Sequence, residues 1–278
     1  MYFDAHNHLH APSLAPHLGA LLRELPAHGI AGMVTNGTSE ADWPALATLA
    51  ATAPWVRPAY GLHPWHAGNR SSAWETRLQS ALAAAPGAAV GEIGLDRWIL
   101  DRARPNDPRL AGLRRAPLDE QLDVFHRQLA LAAAQNRAAC LHCLDAWGAL
   151  QEALRTARRP ARGFLLHAYA GPAEMVEAFA ELGAYFSFNA AFLAPGRQRV
   201  RDAFLRVPAE RLLVETDAPD MGPPPGMAHH TLPPSATGET VHHPACLIDA
   251  YTGLAALRGL TPAALVPQIA ENFRRLFG

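Results

Sequence analysis

Lysine is absent from the 278 residues, and all 24 basic side chains are arginine. A chain without lysine forms no Schiff base with a carbonyl substrate, and it offers no carbamylated lysine as a bridge between metal ions. Cysteine is scarce, and the three residues Cys140, Cys143 and Cys246 are unevenly spaced, which excludes a framework of paired disulfides. Long apolar runs are missing too, so no segment approaches the length that crosses a membrane.

The charge balance is close to neutral, with a net charge of −1 and 18% charged residues. This balance differs from that of proteins that coat nucleic acid, so we expect any nucleic-acid contact to be local to a site. The first strand-like segment begins at about Tyr2, which leaves no room for a signal peptide. We therefore expect a soluble, cytoplasmic monomer without membrane contacts.

Eight short apolar segments, most of them followed by alanine- and leucine-rich material with helical spacing, predict parallel β-α units. The predicted strands span residues 2–9, 30–35, 56–62, 88–95, 138–144, 163–169, 184–189 and 212–216, and helices are predicted over 118–134 and 173–182. Eight such repeats predict an α/β chain with one (β/α)8 TIM barrel as a single domain over residues 1–278. An open doubly wound sheet is the alternative, but no glycine-rich phosphate loop follows the first strand.

Two segments depart from the repeat, and both follow the carboxyl end of a predicted strand, where barrel enzymes build their sites. Residues 97–116 are rich in arginine and proline, and Arg97 and Arg102 in this segment predict phosphate contacts. The alternative is a solvated loop. Residues 220–240 are rich in proline, glycine and histidine. The histidines there and just beyond are His229, His230, His242 and His243, and we do not expect them to reach the site.

Histidines and carboxylates stand at the ends of several predicted strands. They are His6, His8, His63, Glu92, His142, His167 and Asp217. Each one alone could be a hydrogen-bonded core residue, but at one end of a closed barrel they would converge. All of them except His63 form a set of six mixed nitrogen and oxygen ligands, which exceeds one tetrahedral ion. The set predicts two divalent ions of zinc, manganese or magnesium, bridged by Glu92.

Alternation along a strand assigns three nearby side chains to faces. Cys140 shares the face of His142 whereas Cys143 points away, so the two thiols are not expected to chelate one ion. Glu215 shares the face of Asp217, one layer deeper. It either orients a ligating imidazole or pairs with a polar group of the core.

Seven motifs, in order along essentially the whole chain, resemble those of the TatD-type metal-dependent hydrolases. They read DAHNHLH, GLHP, GEIGLD, LHC, HAYAG, ETDAP and ENFRRLFG. This family is a TIM barrel of the wider amidohydrolase group, with a divalent-metal site and nuclease or phosphodiesterase activity. The resemblance implies that His6 and His8 hold one ion. It further implies that His142 and His167 hold the other, with Glu92 between the two.

The resemblance also implies the catalytic roles beside the Glu92 bridge. Asp217 is expected to be a ligand that orients or deprotonates the attacking water, and His63 is expected to contact the substrate phosphate. The chain departs from the family pattern at the substrate rim, where Leu144 replaces a common arginine and His243 stands where an Arg-Asn pair is usual.

The leading prediction is hydrolysis of phosphodiester bonds in DNA, in the manner of a 3′→5′ or single-strand-preferring nuclease. The predicted substrate contacts are His63, Arg97, Arg102 and Trp65, the last as a surface on which bases stack or as a wall of the pocket. One alternative is hydrolysis of a small amide, lactone or amine, which the altered rim favours. Another is a non-catalytic, metal-stabilised binding protein.

Overall fold

The computed structural model describes residues 1–233 and 240–278, and eight parallel strands in this part of the chain form one sheet in sequence order. The strands are β1 (Tyr2–Asn7), β2 (Ile30–Asn36), β3 (Val56–Tyr60), β4 (Ala89–Asp96), β5 (Ala139–Leu144), β6 (Phe164–Leu166), β7 (Ala184–Asn189) and β8 (Leu212–Glu215). Each strand pairs in parallel with the next. All eight predicted strands are therefore confirmed.

The chain after β8 returns to β1 and brings the last strand beside the first. The backbone N–H of Asp217 donates to the carbonyl oxygen of His6 at 3.0 Å, and the N–H of His8 donates to that of Ala218 at 2.8 Å. These bonds close the sheet at the carboxyl ends of its strands. The predicted (β/α)8 barrel is confirmed, and a single domain spanning 1–278 stays a prediction.

Helices separate the strands and cover the outside of the barrel. They are α1 (Leu18–Ala27), α2 (Trp43–Thr52), α3 (Pro64–Ala67), α4 (Trp74–Ala84), α5 (Trp98–Asp101), α6 (Leu118–Ala134), α7 (Trp147–Thr156), α8 (Val176–Glu181), α9 (Gln198–Arg206), α10 (Leu247–Leu257) and α11 (Pro262–Phe277). The helix predicted over 118–134 is α6, whereas the one predicted over 173–182 begins with a 3-10 turn at Ala173–Met175 before α8. Within the described residues, no helix is both long and apolar enough to span a bilayer.

Four strands end one to three residues earlier than predicted: β1, β3, β6 and β8. Two of these ends have a backbone cause. Ala168, shortly after β6, has a φ of 42°, and Asp217, shortly after β8, has a φ of 55°. A residue in this left-handed region cannot continue an extended strand. The candidate ligands His167 and Asp217 therefore stand on the loops just after β6 and β8 rather than in the sheet.

Strand β4 is buried along its whole length, including the carboxylates of Glu92 and Asp96. Two buried glutamines of α6, seven residues apart, support the backbone near this region. Gln128 accepts a hydrogen bond from the N–H of Leu62 at 2.7 Å and donates to its carbonyl oxygen at 3.1 Å. Gln121 likewise accepts a hydrogen bond from the backbone N–H of Asp96 at 2.8 Å and donates to its carbonyl oxygen at 3.0 Å. Helix α6 thus satisfies buried backbone groups beside two parts of the site.

We predict that Gln128→Leu lowers the free energy of unfolding by about 2–4 kcal/mol, because it leaves the buried N–H and C=O of Leu62 without partners. Urea unfolding followed by circular dichroism measures the change. The matched control is Gln79→Leu on the exposed face of α4, which should shift stability by less than about 0.5 kcal/mol. Equal denaturation midpoints for the two variants would show that the bracket does not stabilise the barrel.

Candidate metal centre

The barrel brings all seven predicted side chains to its carboxyl-terminal mouth. His6, Glu92 and His142 stand on β1, β4 and β5. The other four stand within three residues after a strand: His8, His63, His167 and Asp217. Their donor atoms form three overlapping groups, each compact enough to hold a metal ion, and Glu92 belongs to two of these groups.

One oxygen of Glu92 belongs to a cluster of four donor atoms, together with atoms of His6, His8 and Asp217. The Nε2 atoms of His6 and His8 lie 3.3 Å apart. Each lies 3.4 or 3.5 Å from both Glu92 Oε2 and Asp217 Oδ1. Ligand atoms at about 2.0–2.1 Å from a tetrahedral ion are about 3.3–3.4 Å from one another. The five distances that link the two imidazoles to each other and to the two carboxylates therefore fit ligands of one ion.

The second oxygen of Glu92 faces a different pair of imidazoles. Glu92 Oε1 lies 2.9 Å from His167 Nε2 and 3.0 Å from His142 Nδ1. The two ring nitrogens are themselves 3.4 Å apart. The two oxygens of one carboxylate thus face two different pairs of imidazoles, which is the arrangement that a bridging ligand requires.

Hydrogen bonds to the far ring nitrogens leave the lone pairs facing the clusters. His8 Nδ1 lies 2.7 Å from the carbonyl oxygen of Asn36. A carbonyl oxygen only accepts, so Nδ1 carries the hydrogen and Nε2 keeps its lone pair. His142 is turned the other way, because its Nε2 lies 3.2 Å from Asp96 Oδ2, which leaves Nδ1 free toward Glu92.

Glu215 supports His167 from below the site. Glu215 Oε1 lies 3.6 Å from His167 Nδ1, and the hydroxyl of Ser187 donates to the other carboxylate oxygen. Both carboxylate and imidazole are buried. The position favours the first of the two predicted roles for Glu215, that of orienting a ligating imidazole.

His63 differs from the other imidazoles in the hydrogen-bonding state of its ring. Its Nδ1 accepts a hydrogen bond from the backbone N–H of Trp65 at 3.1 Å. The neutral ring therefore carries its hydrogen on Nε2, which lies 3.5 Å from Glu92 Oε1. A nitrogen that carries a hydrogen has no lone pair for a metal, so His63 is a donor at the edge of the centre rather than a ligand.

The charges at the centre compensate one another. Burial opposes the charge on Glu92, but the surrounding imidazoles, above all His167 and His63, hold its pKa well below the usual range. Burial also opposes the charge on His142, yet its contacts with Asp96 and Glu92 raise its pKa to about 9. Burial dominates for His63 and lowers its pKa to about 4. A bound cation would take the place of the protons that the carboxylates hold on these imidazoles.

Asp96 was not predicted to have a role, although it ends β4 and stands four residues after Glu92 on the same strand. The Oδ2 atom of Asp96 accepts from Trp65 Nε1 at 2.6 Å and faces His142 Nε2, while Oδ1 accepts from the N–H of Ile99 at 3.1 Å. Asp96 therefore holds both a candidate metal ligand and an aromatic side chain of the rim. The signal was present in the GEIGLD motif.

Asp4, which was not predicted to have a role, connects β1 to the chain beside Asp217. Its carboxylate accepts from the hydroxyl of Thr216 at 2.6 Å and from the N–H of Thr216 at 3.1 Å. Both residues are buried. The pair fixes the relative positions of His6 and Asp217 across the seam where the barrel closes.

A cavity of about 560 Å³ opens above the centre. Trp65 lines it, as predicted for a substrate contact, and so do Arg109 and Arg197. Arg97 and Arg102, by contrast, do not line the cavity. Both are exposed and each lies beside an aspartate, at 2.9 and 3.3 Å. Their role in substrate binding stays a prediction.

The four histidines in and after the segment 220–240 lie outside the lining of this cavity, as expected: His229, His230, His242 and His243. His229 bonds to Asp249 through Nδ1. His243 Nε2 lies 3.5 Å from Glu24 Oε2. The three cysteines are buried and free. Part of the segment 220–240, residues 234–239, lies outside the described residues.

A closed parallel barrel with histidines and carboxylates converging at the carboxyl ends of its strands defines the class of barrel-type metal-dependent hydrolases. Within this class, the chain belongs to the family described as TatD related DNase, whose model matches residues 3–278. The predicted family and the predicted enzyme class are therefore confirmed, and the non-catalytic alternative falls.

Individual relatives match along nearly the whole chain. The chain is 28% identical to the 3′-5′ ssDNA/RNA exonuclease TatD of Erwinia tasmaniensis, over 99% of both proteins. It is 24% identical to the uncharacterized metal-dependent hydrolase YabD of Bacillus subtilis, over 100% of this chain and 99% of that protein. The crystal structure of YjjV, a TatD homologue from Escherichia coli K12, has the same fold, with a TM-score of 0.83 at 24% identity over 99% and 97% of the two chains.

We predict that Asp96→Asn weakens divalent-metal binding at the cluster of His142 and His167 by about 10-fold to 100-fold, because an amide holds the His142 ring less firmly than a carboxylate. Calorimetric titration with zinc or manganese measures the affinity. Asp123→Asn, an exposed change on α6, is the control and should bind metal as the unaltered chain does. Equal affinities for both variants would contradict a positioning role for Asp96.

Proposed function

We propose that this protein is a phosphodiesterase that removes nucleotides from the end of a single-stranded nucleic acid with two divalent ions. The observation that carries the proposal is the placement of the two oxygens of Glu92 in separate donor clusters. A carboxylate that serves both clusters suits a phosphoryl displacement, in which attacking and leaving oxygens are stabilised together.

The ligands of the proposed ions follow from the distances. One ion would be held by His6, His8, Asp217 and Glu92 Oε2. The other would be held by Glu92 Oε1 and by two imidazoles, from His142 and His167. The prevalence of imidazole suits zinc or manganese, and the carboxylates also admit magnesium.

When bound, such ions lower the pKa of water and balance the charge that develops on a phosphoryl group. Asp217 lines the cavity and is the carboxylate that accepts the proton of the attacking water. His63 carries a hydrogen on Nε2 and donates a hydrogen bond through it to an oxygen of the phosphate, which orients the phosphate for attack. Glu92 stays ionised among the imidazoles and takes no proton in this scheme.

The substrate class is supported by the cavity and by the relatives. A cavity of about 560 Å³ is the size of a small-molecule site, so it suits one nucleotide at a strand end better than a duplex. Several relatives are named as 3′-5′ exonucleases of single-stranded DNA and RNA. The proposal includes action as a monomer in the cytoplasm.

A cleavage assay tests the activity. Single-stranded and duplex oligonucleotides, labelled at either end, are incubated with zinc, manganese or magnesium, or with a chelator. We expect mononucleotide release from the 3′ end of the single strand, faster than from the duplex and absent with the chelator. A panel of amides and lactones covers the amidohydrolase alternative, and turnover of those compounds without any nucleotide release would contradict the proposal.

We predict that Asp217→Asn lowers kcat for strand cleavage by about 100-fold or more, because an amide cannot accept the proton of the attacking water. Asparagine tolerates the left-handed backbone at this position, so the fold should be kept. Steady-state kinetics on a labelled single strand measure the loss. Asp202→Asn, an exposed change on α9, is the control, and a kcat for Asp217→Asn equal to that of this control would exclude Asp217 as the base.

A further inference from the structure

The arginine-rich segment 97–116 forms an ordered arm beside the mouth of the barrel. It begins with α5 and includes a 3-10 turn at Pro108–Leu110. Ile99 and Leu110 are buried against the protein. The guanidinium of Arg115 donates to the carbonyl oxygens of Ile99 and Ala103, both at 3.1 Å. The arm is therefore anchored at several points, and we call residues 97–116 the arginine arm.

The arginine arm holds one guanidinium in a defined position at the cavity. Arg109 donates through Nε and Nη2 to the two carboxylate oxygens of Asp107, at 2.9 and 2.7 Å. Its Cζ atom lies 4.7 Å from the ring centroid of Trp98 and 5.9 Å from that of Trp65. Of the five N–H donors of this side chain, Asp107 takes two, so three remain for a ligand.

The aromatic surface beneath Arg109 is fixed to the metal centre. The rings of Trp65 and Trp98 stack at a centroid distance of 6.0 Å and an interplanar angle of 23°. Trp65 Nε1 donates to Asp96 Oδ2, the same oxygen that faces His142. A continuous set of contacts thus runs from a candidate metal ligand to the guanidinium at the rim.

The other arginines near the mouth do not combine a place at the cavity with a fixed side-chain position. Arg197 also lines the cavity, but among the described residues no partner holds its exposed side chain. Arg97 and Arg102 are outside the lining and pair with Asp101 and Asp145. Arg109 is therefore the arginine of the rim that is both at the cavity and held in place.

We propose that Arg109 binds the phosphate next to the scissile phosphate of a single-stranded polynucleotide. A planar guanidinium with free N–H groups matches the oxygens of a phosphodiester, and its stacking on indole limits the entropy lost on binding. The scissile phosphate belongs beside His63 at the centre, so a cation on the rim suits the neighbouring phosphate of the strand. This inference rests on the proposed function and specifies how the substrate is held.

The experiment measures binding separately from cleavage. Fluorescence anisotropy gives the Kd of a labelled single-stranded oligonucleotide, with phosphorothioate linkages that slow cleavage, for the protein in excess zinc over a range of salt concentrations, with and without Arg109→Gln. We expect Arg109→Gln to raise Kd about fivefold and to reduce the slope of log Kd against log salt concentration by about 0.7, the loss of one phosphate contact on a single strand.

Arg127→Gln on α6 is the matched control. Arg127 pairs with Glu75 and lies 5.1 Å over the ring of Trp74, away from the cavity. This change removes the same charge, an ion pair and a cation–π contact, and it should leave Kd and slope unchanged.

Two results would overturn the proposal: a Kd and slope for Arg109→Gln equal to those of the control, or the expected loss appearing with Arg97→Gln or Arg102→Gln instead. Cleavage by the unaltered enzyme is measured in parallel. A protein that binds the strand through Arg109 but releases no nucleotide contradicts the proposed phosphodiesterase and leaves the phosphate contact standing.

Discussion

The buried carboxylate of Glu92 is the constraint on which the rest of the site depends. A negative charge inside a barrel is costly unless opposite charges or a metal compensate it. Here imidazoles approach both of its oxygens, two from β1 and its loop and two from β5 and the loop after β6. Without these partners the carboxylate would be protonated or solvated, and the two donor clusters that it joins would separate.

A second layer of polar groups, with hydrogen bonds to two of these imidazoles, orients the rings toward Glu92. The carbonyl of Asn36 holds His8, Asp96 holds His142, and Glu215 lies beneath His167. Each of these groups comes from a different strand, so the orientation of the rings depends on the closed barrel. The hydrolase class therefore follows from the barrel and the ligands together, since neither alone would aim the lone pairs at common points.

The rim above the centre is built on the same strand as the bridging carboxylate. The arginine arm begins directly after β4. The strand that contains Glu92 and Asp96 therefore leads straight into the arm beside the cavity. Asp96 connects the two levels, because one of its oxygens bonds to Trp65 and faces His142. The same carboxylate thus contacts an aromatic side chain of the rim and a candidate metal ligand beneath it.

The sequence by itself determined the eight strands, the bounds of α6 and the side chains that meet at the candidate metal centre, because burial and alternation leave local patterns that can be read one segment at a time. Only the tertiary structure decided what depends on neighbours far apart in the chain. Gln128 satisfies the backbone of Leu62, which lies 66 residues away in the chain. Arg109 stands out because it lines the cavity above the centre. Hydrogen-bond partners and shared cavities arise when segments meet, and no local period records them.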